Sequence, residues 1–205
     1  MPQLISHLKQ IGVLKSPPII RALEEVDRAD FVPENLKTLA YEDTALPIGE
    51  RQTISQPYTV VFMLELLKVL PGNTVLEIGY GSGWQTALLA HLVGPSGRVY
   101  SFELVPVLCK QGKGNLEKYP HLARRVRFFC RSGENGYLEA APFDRIIAAA
   151  EIQMVPVAWR EQLNADGRMV YPKGGALVSE EKKKDGSFKV LTFPGFAFVP
   201  FVEVP

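Results

Sequence analysis

The chain has 205 residues, of which 46% are hydrophobic and 10% aromatic, and its mean hydropathy is +0.02. That length and apolar share support one domain with a full core, or one domain with an appendage. With 23 basic and 22 acidic residues the formal net charge is +1, which argues against electrostatic capture of nucleic acid as the main business.

Residues 1–31 read as helical with a break near Ser16-Pro17-Pro18. Proline is tolerated in a first helical turn, where its missing N–H would have no partner, and Ile19, Ile20, Leu23 and Val26 then recur at helical spacing. Phe31-Val32-Pro33 ends the segment, and residues 34–56 carry mixed loop signals with little periodicity. Pro57 suits the first turn of a helix running to about Leu70, which Pro71-Gly72 stops. The stretch 60–70 is the most apolar in the chain, yet Glu65 and Lys68 interrupt it and it is too short to span a bilayer. No secretory signal is read in the first residues.

An alternating pattern follows. Strands are expected at 74–78, 98–103, 126–130, 144–150 and 168–172, and helices at 84–93, 106–118 and 155–163. Strands separated by helices imply parallel pairing through right-handed crossovers, hence a doubly wound α/β fold with a mostly parallel sheet. The end differs: 176–178 and 188–193 flank Asp185-Gly186, a hairpin signal, so the sheet should finish with antiparallel strands. The whole, 1–205, is expected to be a single domain, with 1–56 a helical and loop extension on an α/β core at 57–205.

Side-chain chemistry narrows the function classes. The basic run Lys182-Lys183-Lys184 is flanked by Glu180-Glu181 and Asp185, which suits a solvated turn better than a binding patch. Cys109 and Cys130 lie far apart without CxxC spacing; a disulfide framework is excluded by count, and no metal site is expected. A reducing cytoplasm is the default compartment. His7, His91 and His121 sit outside every motif.

The most specific local pattern is Val75-Leu76-Glu77-Ile78-Gly79-Tyr80-Gly81-Ser82-Gly83-Trp84, an apolar strand running through a glycine-rich turn into a helix. Glycines let a ligand approach the backbone and allow positive φ, and the first N–H groups of the helix are free for a polar ligand. Dinucleotide folds use G-x-G-x-x-G, whereas this chain has G-x-G-x-G followed by Trp84. Glu103 ends the next strand, where a carboxylate can accept from both ribose hydroxyls. Both NAD and S-adenosylmethionine would use such an acid; the loop spacing and Glu77 within the strand favour the methyl donor. Leu104, beside Glu103, joins the expected cofactor-binding set.

Upstream lies Thr53-Ile54-Ser55-Gln56-Pro57-Tyr58. With Phe31-Val32-Pro33, Ala45-Leu46-Pro47-Ile48-Gly49, Ala141-Pro142-Phe143-Asp144, Gly167-Arg168-Met169-Val170-Tyr171-Pro172 and Phe198-Val199-Pro200, it makes nearly the whole chain resemble the protein-L-isoaspartate (D-aspartate) O-methyltransferases. The resemblance implies a repair enzyme that methylates the free carboxylate of isoaspartyl residues in damaged proteins, using S-adenosyl-L-methionine, without nucleic acid or membrane partners, as a monomer. It implies Ser55 as the active-site hydroxyl, with Thr53 and Ile54 at the substrate. The bland reading of Ser55 is a cap at the start of the following helix. A same-fold methyltransferase with another acceptor, or a cofactor-binding module that recognises damaged protein without methylating it, would carry the same glycine loop.

Three positions depart from the family pattern. Arg51 stands where glycine is common. Arg131-Ser132-Gly133 replaces a Gly-Asp-Gly turn that helps hold the adenine, so Ser132 and Gly133 are expected at the cofactor with a neutral bond in place of a charged one, unless Glu134 serves instead. The neutral bond weakens affinity by about 1 kcal/mol. Glu151 stands where a small residue is usual, near the substrate; at ~5 Å it would repel a bound carboxylate by about 3 kcal/mol at an effective dielectric of ~20. Arg51 and Glu151 are expected to pair across the cleft mouth.

Overall fold

The computed structural model describes residues 1–201, so the last four residues of the expected single-domain span lie outside the described residues. Helices α1 (Pro2–Gln10) and α2 (Pro17–Glu25) come first, followed by 3-10 turns at Arg28–Phe31 and Glu34–Leu39, and by a small hairpin of β1 (Leu46–Gly49) and β2 (Gln52–Ile54). The main run is α3 (Pro57–Leu67), β3 (Thr74–Ile78), α4 (Trp84–Val93), β4 (Arg98–Glu103), α5 (Pro106–Leu116), α6 (Pro120–Ala123), β5 (Val126–Cys130), β6 (Phe143–Ala148), α7 (Val157–Glu161), β7 (Leu163–Lys173), β8 (Ala176–Lys182) and β9 (Phe188–Pro194). Among the described residues, no helix is long and apolar enough to cross a membrane.

Seven strands form one sheet in the order β5-β4-β3-β6-β7-β8-β9. The first five are parallel, and β8 and β9 add antiparallel to the end. Successive side chains on a strand face opposite sides, and the core divides accordingly. Val75, Val99, Ile147, Val170 and Leu177 join the cluster that holds the N-terminal helices, whereas Leu76, Phe102, Ile146, Met169 and Val178 pack on the other face. With both faces covered, the central strands β3 and β6 are largely apolar, whereas the edge strands β5 and β9 stay partly or wholly exposed. Helix α4 is buried over all but His91, because it lies between the sheet and α2.

Several expected boundaries move: β6 ends at Ala148, not at 150, and β8 runs on to Lys182, past 178. Helix α3 stops at Leu67, not Leu70, because Lys68 takes a left-handed conformation, φ 53°, and closes the helix. Strand β7 begins at Leu163, five residues early, so α7 is short. The region 34–56 holds the β1–β2 hairpin, whose alternation of buried Leu46 and Ile48 with exposed Pro47 is too brief to show as periodicity. Glu50 and Arg51 form its turn, both at positive φ, 50° and 57°. That is the conformation glycine adopts without steric cost, and it accounts for glycine at position 51 in the family pattern.

A further correction concerns the cysteines. Cys109 in the first turn of α5 and Cys130 at the end of β5 are joined by a disulfide across 21 residues of sequence. The pair is invisible to spacing rules because the parallel β4–β5 register, ending at Glu103 opposite Cys130, is what brings them together. A closed loop of this size stabilises by about 3 kcal/mol, mainly by restricting the unfolded chain. Replacing both cysteines with alanine, or adding reductant, is therefore expected to lower Tm by roughly 6–12 °C. Calorimetry on oxidised and reduced protein checks this. Arg51→Gly is expected to raise stability by about 0.5–1 kcal/mol in urea unfolding, the relief of left-handed strain being partly offset by the freer unfolded chain.

Candidate active site

The strand order reverses at β3, and ligands of open α/β sheets bind beyond the carboxyl ends of the strands at such a point. There a cavity with about 930 Å³ of space between its walls is lined by residues 79–82 after β3, 103–105 after β4, 131–133 after β5 and 149–150 after β6.

The glycine loop is built tightly into this wall. At Gly83, φ 84°, a Cβ would lie 2.6 Å from the carbonyl oxygen of Gly112, and a Cβ on Gly112 would in turn strike the Gly81 carbonyl oxygen at 2.4 Å. Loop and α5 therefore touch backbone to backbone, which only paired glycines permit. Glu103 fixes the other side: its Oε2 accepts from the Gly81 amide at 2.9 Å, while its Oε1 accepts from the amides of Leu104 and Val105 at 2.8 and 3.0 Å. Because Oε1 already holds two donors, Oε2 keeps the free acceptor site. Tyr80 lies against this carboxylate; burial first, then Glu103 and Glu77, push its phenol well above the ordinary range. It remains an O–H donor, to the Cys109 carbonyl at 3.2 Å.

Glu77 does not reach the cavity. It is fully buried beneath the loop, where Gln85 Nε2 and Thr86 Oγ1 donate to it at 3.1 and 2.7 Å and Ser101 Oγ donates as well. Burial raises its pKa and these three donors pull it back. The residue expected at the cofactor thus ties β3 to α4 and β4 instead.

A second groove, with about 1510 Å³ of space, opens beside the first. It is lined by Ala45, Gln56, Tyr58 and Thr59, by Pro194 at the end of β9 and by residues 195–199, with no charged side chain on its walls among the described residues. Thr53, Ser55, Ala149 and Val199 belong to both cavities. Ser55 is thus at the junction. It does not cap α3: Gln56 is the cap residue, and the first-turn amide of Tyr58 donates to Asp43 Oδ1 at 2.8 Å. Asp43 takes the capping role, and the Ser55 hydroxyl has no hydrogen bond among the described residues.

What holds Ser55 is Arg28, whose side chain is fully buried. Its Nη1 donates to the carbonyls of Ala40 and Glu42 at 2.9 and 3.3 Å, and its Nη2 to those of Thr44 and Ser55 at 2.9 and 3.1 Å. The guanidinium lies 5.3 Å from the ring centre of Trp84, the first residue of α4. Burial lowers its pKa to about 10, with Asp43 acting in the opposite sense, so it stays charged at neutral pH.

Of the residues singled out in the sequence, Thr53, Ile54, Ser55, Gly79, Tyr80, Gly81, Ser82, Glu103, Leu104, Ser132 and Gly133 line the first cavity. Gly83 sits just behind it, against Gly112. Arg51 and Glu151 line neither cavity. Nor do they pair: Arg51 is exposed at the hairpin tip, and Glu151 Oε1 accepts from the Gly175 amide at 3.0 Å. The expected repulsion of a bound carboxylate loses its basis. Glu151 works through its backbone, bonding Val199 and Phe201 and so laying residues 199–201 along the cavity. Ser132 Oγ accepts from the Glu134 amide at 3.2 Å, and Glu134 is not on the wall. Sequence reasoning missed Arg28, Trp84, Arg131 and the tail at 199–201. The tail could have been suspected from the Phe198-Val199-Pro200 motif; Arg28 gives no signal, since it looks like any charge after a helix.

The sheet order, the glycine loop and the acid at the end of β4 together define a class I methyltransferase fold. Solved structures agree: a protein-L-isoaspartate O-methyltransferase from Plasmodium falciparum, in complex with S-adenosyl-L-homocysteine, superposes with a TM-score of 0.86 at 23% identity over 97% of this chain and 96% of that one. A second protein-L-isoaspartate O-methyltransferase gives 0.85 at 30% identity over 98% of this chain and 66% of that one. The family model for protein-L-isoaspartate(D-aspartate) O-methyltransferase matches residues 1–204, and the chain belongs to that family. The protein-L-isoaspartate O-methyltransferase of Methanopyrus kandleri is 41% identical over 98% of this chain and 90% of its own length. That of Methanothrix thermoacetophila is 43% identical over 91% and 89%.

Lysine at position 28 would keep the charge but gather its donors on one nitrogen, which cannot reach four carbonyls at once. Arg28→Lys is expected to lose about 2 kcal/mol of stability and to lower acceptor turnover about tenfold. S-adenosylhomocysteine affinity, read by titration calorimetry, should change less than about threefold, because none of these carbonyls belongs to the glycine loop.

Proposed function

We propose that this chain is a protein repair methyltransferase, which transfers a methyl group from S-adenosylmethionine to the free carboxylate of L-isoaspartyl and D-aspartyl residues in damaged proteins. The observation that carries the reading is the junction at Ser55. It joins the cavity at the glycine loop to a groove without a charged side chain among the described residues. Family membership supports the same substrate class.

The residues present fit the cofactor. Glu103 Oε2 retains an acceptor site for a ribose hydroxyl, and the loop at 79–82 leaves backbone exposed along the wall. Trp84, another wall residue, buries an indole N–H without a partner among the described residues. When bound, S-adenosylmethionine supplies a sulfonium-activated methyl group, so a carboxylate with its ordinary pKa near ~4 needs no general base. The chain's own task is placement. Thr53 and Ser55 offer hydroxyl donors to the acceptor carboxylate at the shared wall, and Arg28 fixes the Ser55 backbone from behind. Ala149, Val199 and the aromatic groove wall displace water that would otherwise solvate the nucleophile. Among the described residues, no charged group on the groove wall opposes the incoming carboxylate.

Incubation with labelled S-adenosylmethionine and an isoaspartyl peptide, beside its aspartyl twin, should label only the former, as a base-labile ester. Equal labelling of both, or of neither, contradicts the proposal. Ser55→Ala is expected to lower kcat about 10- to 100-fold while cofactor affinity stays within about threefold; an unchanged kcat removes Ser55 from the chemistry.

A further inference from the structure

The two ends of the cofactor cavity differ in hydrogen-bonding character. At the glycine loop the wall is backbone and Glu103, the one carboxylate lining this cavity among the described residues. Beyond Glu103, toward β5, it is Arg131, Ser132 and Gly133, opposite Leu104, Val105 and Leu108. On the cofactor reading above, a ribose held at Glu103 directs its nucleobase toward this end. Among the described residues, no side chain there can act only as an acceptor. Ser132 Oγ accepts from the Glu134 amide at 3.2 Å, which leaves one proton to give and one lone pair, so this hydroxyl can serve either a donor or an acceptor on a base edge.

Arg131 can only donate. The residue is exposed, and its guanidinium lies over three rings, with its carbon 5.4 Å from the centre of Phe129, 5.6 Å from Phe102 and 5.7 Å from Tyr137. These contacts hold its position through the ring faces and use none of its N–H groups. It makes no hydrogen bond or ion pair among the described residues, so all five donors remain available.

Adenine presents an amino donor at C6 beside the N1 acceptor; hypoxanthine presents a carbonyl acceptor at C6 beside an N1–H donor. A carboxylate at this end would favour the amino group and repel the carbonyl. An arginine with a hydroxyl does neither. We propose that Arg131 and Ser132 determine base specificity at this site, and that they allow a 6-oxopurine nucleoside thioether to bind about as well as the adenine form. The inference rests on the cofactor reading above and deepens it: the ligand class is a purine nucleoside joined through sulfur to homocysteine, with either an amino or an oxo group at C6.

The test is titration calorimetry of the full chain with S-adenosyl-L-homocysteine and with S-inosyl-L-homocysteine. In the wild type the two dissociation constants should lie within about tenfold of one another. Ser132→Asp, which adds an acceptor-only group, should widen the preference for the adenosyl form by about tenfold or more. Arg131→Ala should weaken the inosyl form more than the adenosyl form. A wild-type preference for adenosyl beyond about tenfold, or a ratio that neither substitution moves, overturns the inference and leaves the cofactor reading standing. Failure of the wild type to bind either compound overturns both. Thermal melts of the two variants confirm folding, and the wild-type ratio decides the matter if either variant does not fold.

Discussion

The buried guanidinium of Arg28 has no ion-pair partner among the described residues, and its charge is met by the carbonyl oxygens of Ala40, Glu42, Thr44 and Ser55. An isolated buried charge costs several kcal/mol unless hydrogen bonds compensate it; here both Nη atoms are bonded, while Nε has no partner among the described residues. The segment 40–44 must therefore curl around it, and the chain leaving β2 must bring the Ser55 carbonyl to it. Trp84 completes the enclosure from the start of α4. One side chain thus fixes the N-terminal loops, the Ser55 segment and the cofactor-side helix relative to one another. Ser55 is held by its backbone, which leaves its hydroxyl free for a ligand.

The cofactor side is organised by a different device. Glu103 closes the glycine loop through the Gly81 amide and its own following turn. The Gly83–Gly112 contact locks the loop to α5, and the disulfide locks α5 to β5. Leu108 and Arg131, the chain neighbours of the two cysteines, both line the cavity. The cofactor wall is therefore rigid along its length, whereas the acceptor groove is walled partly by the irregular chain at 195–199. That division suits an enzyme with one cofactor and many protein substrates: the invariant ligand meets preformed backbone, and the variable one meets uncharged surface.

Much of this was legible in the sequence, for identifiable reasons. A strand buried on both faces announces itself as an apolar run, as β3 does; β4 and the edge strand β5, half-exposed, are legible from the helices that alternate with them. The glycine loop and Glu103 stand out because close backbone approach demands glycine and because an acid ends β4, and the structure places both on one cavity wall. Three features were not. The disulfide depends on strand register, which no local pattern encodes. The Arg51–Glu151 pair failed because a left-handed turn leaves Arg51 exposed, while Gly175 claims the Glu151 carboxylate. Glu77 was read as a ligand contact because it sits inside the motif, yet β-strand alternation points it beneath the loop, among Gln85, Thr86 and Ser101. In each case the residue type was visible and the direction of its side chain was not.

The central claim is that cofactor and acceptor meet at Ser55, held from behind by Arg28. A crystal structure with S-adenosylhomocysteine and an isoaspartyl peptide tests this most directly. The account predicts a ribose hydroxyl on Glu103 Oε2 and the isoaspartyl carboxylate within about 2.6–3.2 Å of Ser55 Oγ, with the Arg28 contact to the Ser55 carbonyl preserved. A carboxylate seated elsewhere in the groove, with Ser55 Oγ bonded only to protein, would contradict it.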